Sequence, residues 1–136
     1  MEFKIKTDEI RNDLVKEVEE LSNTNVFSCY QCGKCSAGCP SVPYMELLPN
    51  QVMRLLQFGK VELILKSNTP WVCASCFVCS TRCPKDIDIA AIMEALRQIQ
   101  LRKNEDYLNL NKVPDMEGAK ELPPIALVSA TRKLTA

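Results

Sequence analysis

The chain has 136 residues, enough for one domain with a sizeable core, and its 46% hydrophobic and 25% charged content argues against wholesale disorder. Basic and acidic residues balance at 17 each, so no strong field points to nucleic acid or anionic lipid, and the absence of histidine removes the commonest general base and any mixed Cys/His zinc site. Apolar stretches fall far short of the ~20 residues a spanning helix needs and Met1–Lys6 leads into no signal-peptide core, so a cytoplasmic protein without a membrane anchor is expected.

In chain order, Ile10, Leu14, Val18 and Leu21 recur at helical spacing among charged residues and predict an amphipathic helix over 7–22, with Thr7 or Asp8 as its N-cap. That stripe serves either the domain's own core or a partner. Next come Cys29, Cys32, Cys35 and Cys39, followed by Pro40, and forty-four positions later Cys73, Cys76, Cys79 and Cys83, followed by Pro84. The second motif (73–84) repeats the first (29–40) in register, and together they use all eight cysteines.

Between the motifs, Pro49 suits the first turn of a helix carrying Val52, Leu55 and Leu56, Gly59 suits its end, and a short helix is expected over Val61–Lys66. Asn68, Thr69 and Pro70 read as a break before Trp71. After the second motif, Asp86 and Asp88 sit where a helix start favours negative charge, Ile89, Ile92, Met93, Leu96 and Ile99 form a stripe, and Arg102 and Lys103 lie near the favourable end. No alternating run is long enough for a strand, so the fold class is all-α. From Asn104, Pro114, Pro123 and Pro124 interrupt the pattern, and residues 104–136 read as an extended C-terminal tail. Its apolar run, Ile125 to Val128, either wraps a partner or stays mobile. The expected organisation is therefore a helical domain over 1–103 and a tail over 104–136.

Eight cysteines at these spacings in a cytosolic chain favour metal over disulfides. A cubane cluster needs four thiolates around closely spaced irons; two-residue gaps let one short loop reach three corners, and in tandem C-x2-C-x2-C-x3-C-P motifs the fourth cysteine serves the other cluster. This assigns Cys29, Cys32, Cys35 and Cys83 to one [4Fe–4S] cluster and Cys73, Cys76, Cys79 and Cys39 to the second. The zinc alternative groups two C-x2-4-C pairs around one tetrahedral ion, which is not this pattern. With two oxidised clusters bound the net charge becomes roughly −4.

Gly33 and Gly38 let the first loop turn backbone N–H groups toward sulfur or serve loop geometry alone, while Phe77 and Val78 in the second loop exclude water or simply pack. If they tune the clusters, the two potentials are unequal. Trp71 reads as a lid or core anchor before an electron relay, and Lys34, Arg54 and Arg82 as solvated charges before cluster-neutralising or docking ones.

A plain two-cluster bacterial ferredoxin is β-rich, with fewer residues between its motifs. Here a helical insert of about thirty residues separates them, so the chain resembles the alpha-helical ferredoxin family. The stretches 29–40, Leu48 to Arg54 with Gly59, and Trp71 to Cys76 resemble the C subunits of heterodisulfide reductases in particular, over residues 24–102. No N-terminal [2Fe–2S] domain and no CCG-type catalytic motif accompanies them, which suits a separately encoded subunit.

The resemblance implies a hetero-oligomeric electron-transfer subunit. It would relay electrons from a flavin-containing A subunit to the catalytic B subunit, which reduces the coenzyme M–coenzyme B heterodisulfide of methanogenesis. A freely diffusing ferredoxin-like shuttle and the equivalent relay subunit of a related complex are the alternatives. No catalytic site is expected on this chain alone: it has no histidine, no GxGxxG loop and no spare cysteine.

Overall fold

In the computed structural model, which describes residues 10–102, 107–115, 118 and 121–135, Asn12 marks the start of the first helix. Its Oδ1 accepts the Val15 N–H at 2.9 Å, and its Nδ2 donates to the Gly59 carbonyl at 2.8 Å. Helix α1 accordingly spans Asp13–Ser22 rather than 7–22, because Ile10 and Arg11 form a turn ahead of this cap. Thr7 and Asp8, the expected caps, and Lys103 and Asn104 lie outside the described residues. The buried face also differs from the expected stripe: Val15, Val18 and Ser22 face the core, while Leu21 is 47% exposed. Ser22 tolerates burial because its hydroxyl donates to the Val18 carbonyl at 2.6 Å.

The insert between the cysteine motifs forms α2 (Lys34–Gly38), α3 (Pro49–Gln57), α4 (Val61–Lys66) and α5 (Thr69–Val72), counting the short helix within the first motif. Pro49 opens α3, and α3 ends at Gly59, whose φ of +69° favours glycine. There Gly59 N–H donates to the Leu56 carbonyl and Lys60 N–H to the Leu55 carbonyl, both at 2.9 Å, the paired bonds of a Schellman cap. Thr69 and Pro70, expected as a break, instead start α5, since proline is tolerated in a helix's first turn. Thr69 is fully buried; its hydroxyl accepts the Leu47 N–H at 2.9 Å and donates to the Leu47 carbonyl at 3.0 Å.

Helix α6 (Val78–Arg82) lies in the second motif and α7 (Ile89–Leu101) follows it. Asp88 caps α7 by accepting the Ala91 N–H at 3.0 Å. The core is built from Val15 and Val18 of α1, Val52, Met53 and Leu56 of α3, Val61 and Ile64 of α4, and Ile92, Met93 and Leu96 of α7, all at most 1% exposed. Each such side chain contributes about 1.5–3 kcal/mol relative to exposure, so the cysteine loops are mounted on a rigid body.

Among the described residues every regular element is helical, as an all-α fold requires. The chain forms two compact units, residues 1–100 and 101–136. The second unit is not an extended tail over its described length: it contains a 3-10 segment, Leu110–Asp115, and helix α8, Pro124–Leu134. The proline at 124 starts this helix rather than breaking it, and Arg132 and Lys133 in its last turn complement its dipole. The N–H groups of Tyr107 and Leu108 donate to the Leu134 carbonyl at 2.8 and 3.1 Å.

Candidate metal centre

The two cysteine motifs fold alike, residue for residue. Each enters its first cysteine from a single turn, Val26–Ser28 before Cys29 and α5 before Cys73. Each then passes through left-handed backbone at equivalent positions: Gln31 (φ 63°) with Ser75 (φ 50°), and Gly33 (φ 76°) with Phe77 (φ 60°). A five-residue helix follows, α2 or α6, and ends in extended backbone at Cys39 or Cys83. The positive φ values turn each loop sharply, and in the second loop Cys73, Cys76 and Cys79 line one cavity. Burial follows the same order, with Cys35 and Cys79 buried, Cys32 and Cys76 exposed, and the other four between.

Helices α2 and α6, which end at Cys39 and Cys83, pack directly on each other. Cys39 lines one cavity with Cys73, Cys76 and Cys79, walled mainly by the apolar side chains of Met45, Pro49, Ile89, Ala90 and Met93. On the first loop, the Tyr30 phenol is held above its ordinary value first by desolvation, then by a hydrogen bond with Cys32 and by the charges of Cys32, Cys83 and Cys29. Cys39 therefore shares a cavity with the first three cysteines of the second motif.

Side chains outside the cysteines brace both loops in matching ways. Ser36 donates to Asn50 Oδ1 at 2.6 Å, and Ser80 to Asp88 Oδ1 at 2.8 Å, tying each loop to the start of α3 or α7. The hydroxyls of Ser36 and Ser80 lie 4.0 Å from the sulfurs of Cys35 and Cys79. Gln57 Nε2 donates to the carbonyl of Cys29 at 2.7 Å, and Arg97 Nη1 to the carbonyl of Cys73 at 3.1 Å. Arg97 also reaches the Pro70 carbonyl at 3.0 Å and Ser75 Oγ at 3.0 Å. Gln31 Nε2 approaches Cys29 Sγ at 3.6 Å. The repeated Cys-Ser pair is visible in the sequence as a signal for the serines; nothing local singles out Gln57 or Arg97.

The donor set suits a cluster of irons. Cys39, Cys73, Cys76 and Cys79 line one small cavity, a set of four thiols of the kind an iron–sulfur cluster takes. Burial pushes the Cys35 and Cys79 thiols up, with the Ser36 and Ser80 hydroxyls acting in the opposite sense, so without metal these two thiols hold their protons. Bound iron deprotonates a coordinating thiol.

Several sequence expectations change here. Phe77 is 52% exposed and Trp71 47% exposed with its indole N–H on Gln100 Oε1 at 3.0 Å, so Phe77 does not seal its loop from water and Trp71 is no core anchor. Gly33 suits its left-handed backbone, with open space where a Cβ would lie, whereas a Cβ on Gly38 would lie 2.6 Å from Arg82 Cδ and displace that flexible side chain. Arg54 stacks over the Phe58 ring at 4.5 Å, and Lys34 is exposed.

Residues 28–88 match a family described as a 4Fe-4S dicluster domain. Among curated proteins, the chain is 32% identical over 107 residues to the iron–sulfur C subunit of the CoB–CoM heterodisulfide reductase of Methanopyrus kandleri, covering 73% of this chain and 56% of that protein. It is 34% identical over 107 residues to the corresponding iron–sulfur C 2 subunit of Methanocaldococcus jannaschii, covering 73% and 57%. A third relative, the C2 subunit of the H2/formate:CoB-CoM heterodisulfide,ferredoxin reductase of Methanococcus maripaludis, is 29% identical over 107 residues, covering 73% and 58%. The chain thus spans a little over half the length of these relatives.

Proposed function

From its 4Fe-4S dicluster domain and its homology to the iron–sulfur C subunits of heterodisulfide reductases, we propose that this chain relays electrons between two partner subunits of a heterodisulfide reductase complex. These relationships support an iron–sulfur electron-transfer subunit. Cys29, Cys32, Cys35 and Cys83 would hold one [4Fe–4S] cluster and Cys73, Cys76, Cys79 and Cys39 a second. Electrons enter from a flavin-containing partner and leave to a disulfide-reducing, catalytic one. Among the described residues no helix is long and apolar enough to cross a membrane.

The observation that supports this reading is the cavity that Cys39 lines with Cys73, Cys76 and Cys79, together with the packing of α2 on α6, since two sites that share loops stand close together. When bound, each cluster supplies a one-electron carrier, and two passages deliver the pair that, with two protons, converts one disulfide into two thiols on the catalytic partner. The chain's own residues do the rest. Apolar walls at Ile89, Ala90 and Met93 limit water, Gln31 offers a polar hydrogen to the Cys29 sulfur, Ser36 and Ser80 tie their loops to Asn50 and Asp88, and Gln57 and Arg97 hold the loop carbonyls. The exposed Cys32 and Cys76 mark the edge of each site through which electrons reach partners.

Anaerobically purified protein is expected to contain about eight iron and eight sulfide per chain. Changing Cys83 to Ser is expected to disturb the cluster of the first motif, and a response confined to the second motif's cluster would defeat the assignment. The native assembly is expected to co-purify with a flavoprotein and a disulfide-reducing chain. A lone monomer in size-exclusion chromatography would favour the diffusing shuttle instead.

A further inference from the structure

The two motifs are related by a shift of forty-four positions, and that shift converts Gly38 into Arg82. The two positions also meet in space. A Cβ built on Gly38 would fall 2.6 Å from Cδ, 2.7 Å from Nη1 and 2.8 Å from Nε of Arg82. Equivalent residues touch at the place where the repeats pack on each other, between α2 and α6. With glycine at both positions this junction would hold no charge; with arginine at both, two guanidinium groups would compete for one space and repel. One glycine and one arginine is the pairing that seats a single cation there.

Arg82 directly precedes Cys83, and Gly38 directly precedes Cys39, the two cysteines that cross between the loops. Among the described residues no carboxylate forms an ion pair with Arg82. Its side chain is exposed and lies beside Gly38. Each electron taken up adds one negative charge to a site already rich in thiolate. A cation beside the residues that precede Cys39 and Cys83 stabilises that added charge, by an amount that solvent screening reduces.

Resting on the two-cluster reading above, we propose that Arg82, seated on Gly38, is a tuning residue that raises the reduction potentials of both clusters and thereby eases electron entry into this chain. It holds no iron; it acts through charge on the groups that do.

The test is an anaerobic redox titration, followed by electron paramagnetic resonance, of the full-length holo-protein and its variants. Wild-type iron and sulfide content and a reducible cluster signal come first; if these are absent, the two-cluster reading fails, independently of Arg82. Given intact clusters, Arg82→Gln is expected to move both midpoints to more negative potential, and Arg82→Lys to keep them near wild type. Gly38→Ala keeps the charge but displaces the flexible side chain, and is expected to give a smaller negative shift at full iron content. Lys85→Gln, which removes an exposed cation two positions after Cys83, sets the effect of net charge alone and is expected to shift the midpoints less than Arg82→Gln. Unchanged or raised midpoints in Arg82→Gln, or an equal shift in Lys85→Gln, would overturn the proposal. Should Arg82→Gln lose iron, Gly38→Ala decides: a negative shift supports the proposal and none overturns it.

Discussion

Removing Arg97 is expected to release one cluster site and spare the other. Its guanidinium makes three hydrogen bonds to the second cysteine loop: to the carbonyls of Pro70 and Cys73 at 3.0 and 3.1 Å, and to Ser75 Oγ at 3.0 Å. Bonds from a charged donor contribute about 1.5–3 kcal/mol each when buried, but these are only partly buried, so water replaces some of the loss. Taking the two carbonyl bonds at the lower end gives about 3 kcal/mol for Arg97→Met, roughly a hundredfold rise in the population of an opened loop. The assay is anaerobic iron release to a chelator in excess. About half the iron is expected to leave in a phase accelerated by that factor, while the rest leaves at the wild-type rate until the first phase is complete. Gln57→Leu, which removes the matching donor to the Cys29 and Val26 carbonyls at 2.7 and 3.3 Å, is expected to accelerate the other half, and less strongly because the donor is neutral. Uniform acceleration of all iron in Arg97→Met, or none, would refute the idea that each loop is braced separately.

Thr69→Val keeps the shape of a fully buried side chain but leaves the Leu47 N–H and carbonyl without the hydroxyl; a loss of about 2–4 kcal/mol is expected in denaturant unfolding followed by helical circular dichroism, with Thr69→Ser close to wild type. Gly33→Ala meets no neighbouring atom, so its cost is that of a non-glycine residue at φ 76°, about 1–2 kcal/mol in the same assay, and Gly33→Asn is expected to cost less. In metal-free protein, alkylation mapped by mass spectrometry is expected to modify the exposed Cys32 and Cys76 first. Burial favours the protonated form of Cys35 and Cys79, so their rates should rise through a midpoint above the ordinary thiol value of 9.0 as pH increases; a midpoint at or below that value for these two would contradict the burial seen here.

Much of this protein is written in local chemistry. Proline at 49 and glycine at 59 bracket α3 because one needs no N–H and the other tolerates a positive φ, and both properties belong to the residue itself. Helix α4 over Val61–Lys66, the Asp88 cap and the repeat of eight cysteines are legible for the same reason. The start of α1 was not, since Asn12 is chosen as cap partly by a carbonyl forty-seven residues away, at Gly59. Nor could a proline at 124 be told apart from a helix breaker without the turn that follows it.

At the candidate metal centre the division is sharper. Cysteine spacing alone pointed to two clusters and to an exchange of fourth ligands, because a short loop can face only three thiols one way. Which serine, glutamine or arginine braces each loop was decided by the packing of α3 and α7 against it, and the place of Arg82 beside Gly38 by the packing of α2 on α6. Spacing is a property of the chain, and so the sequence determined it; contact between distant residues is a property of the folded body, and only the tertiary structure decided it.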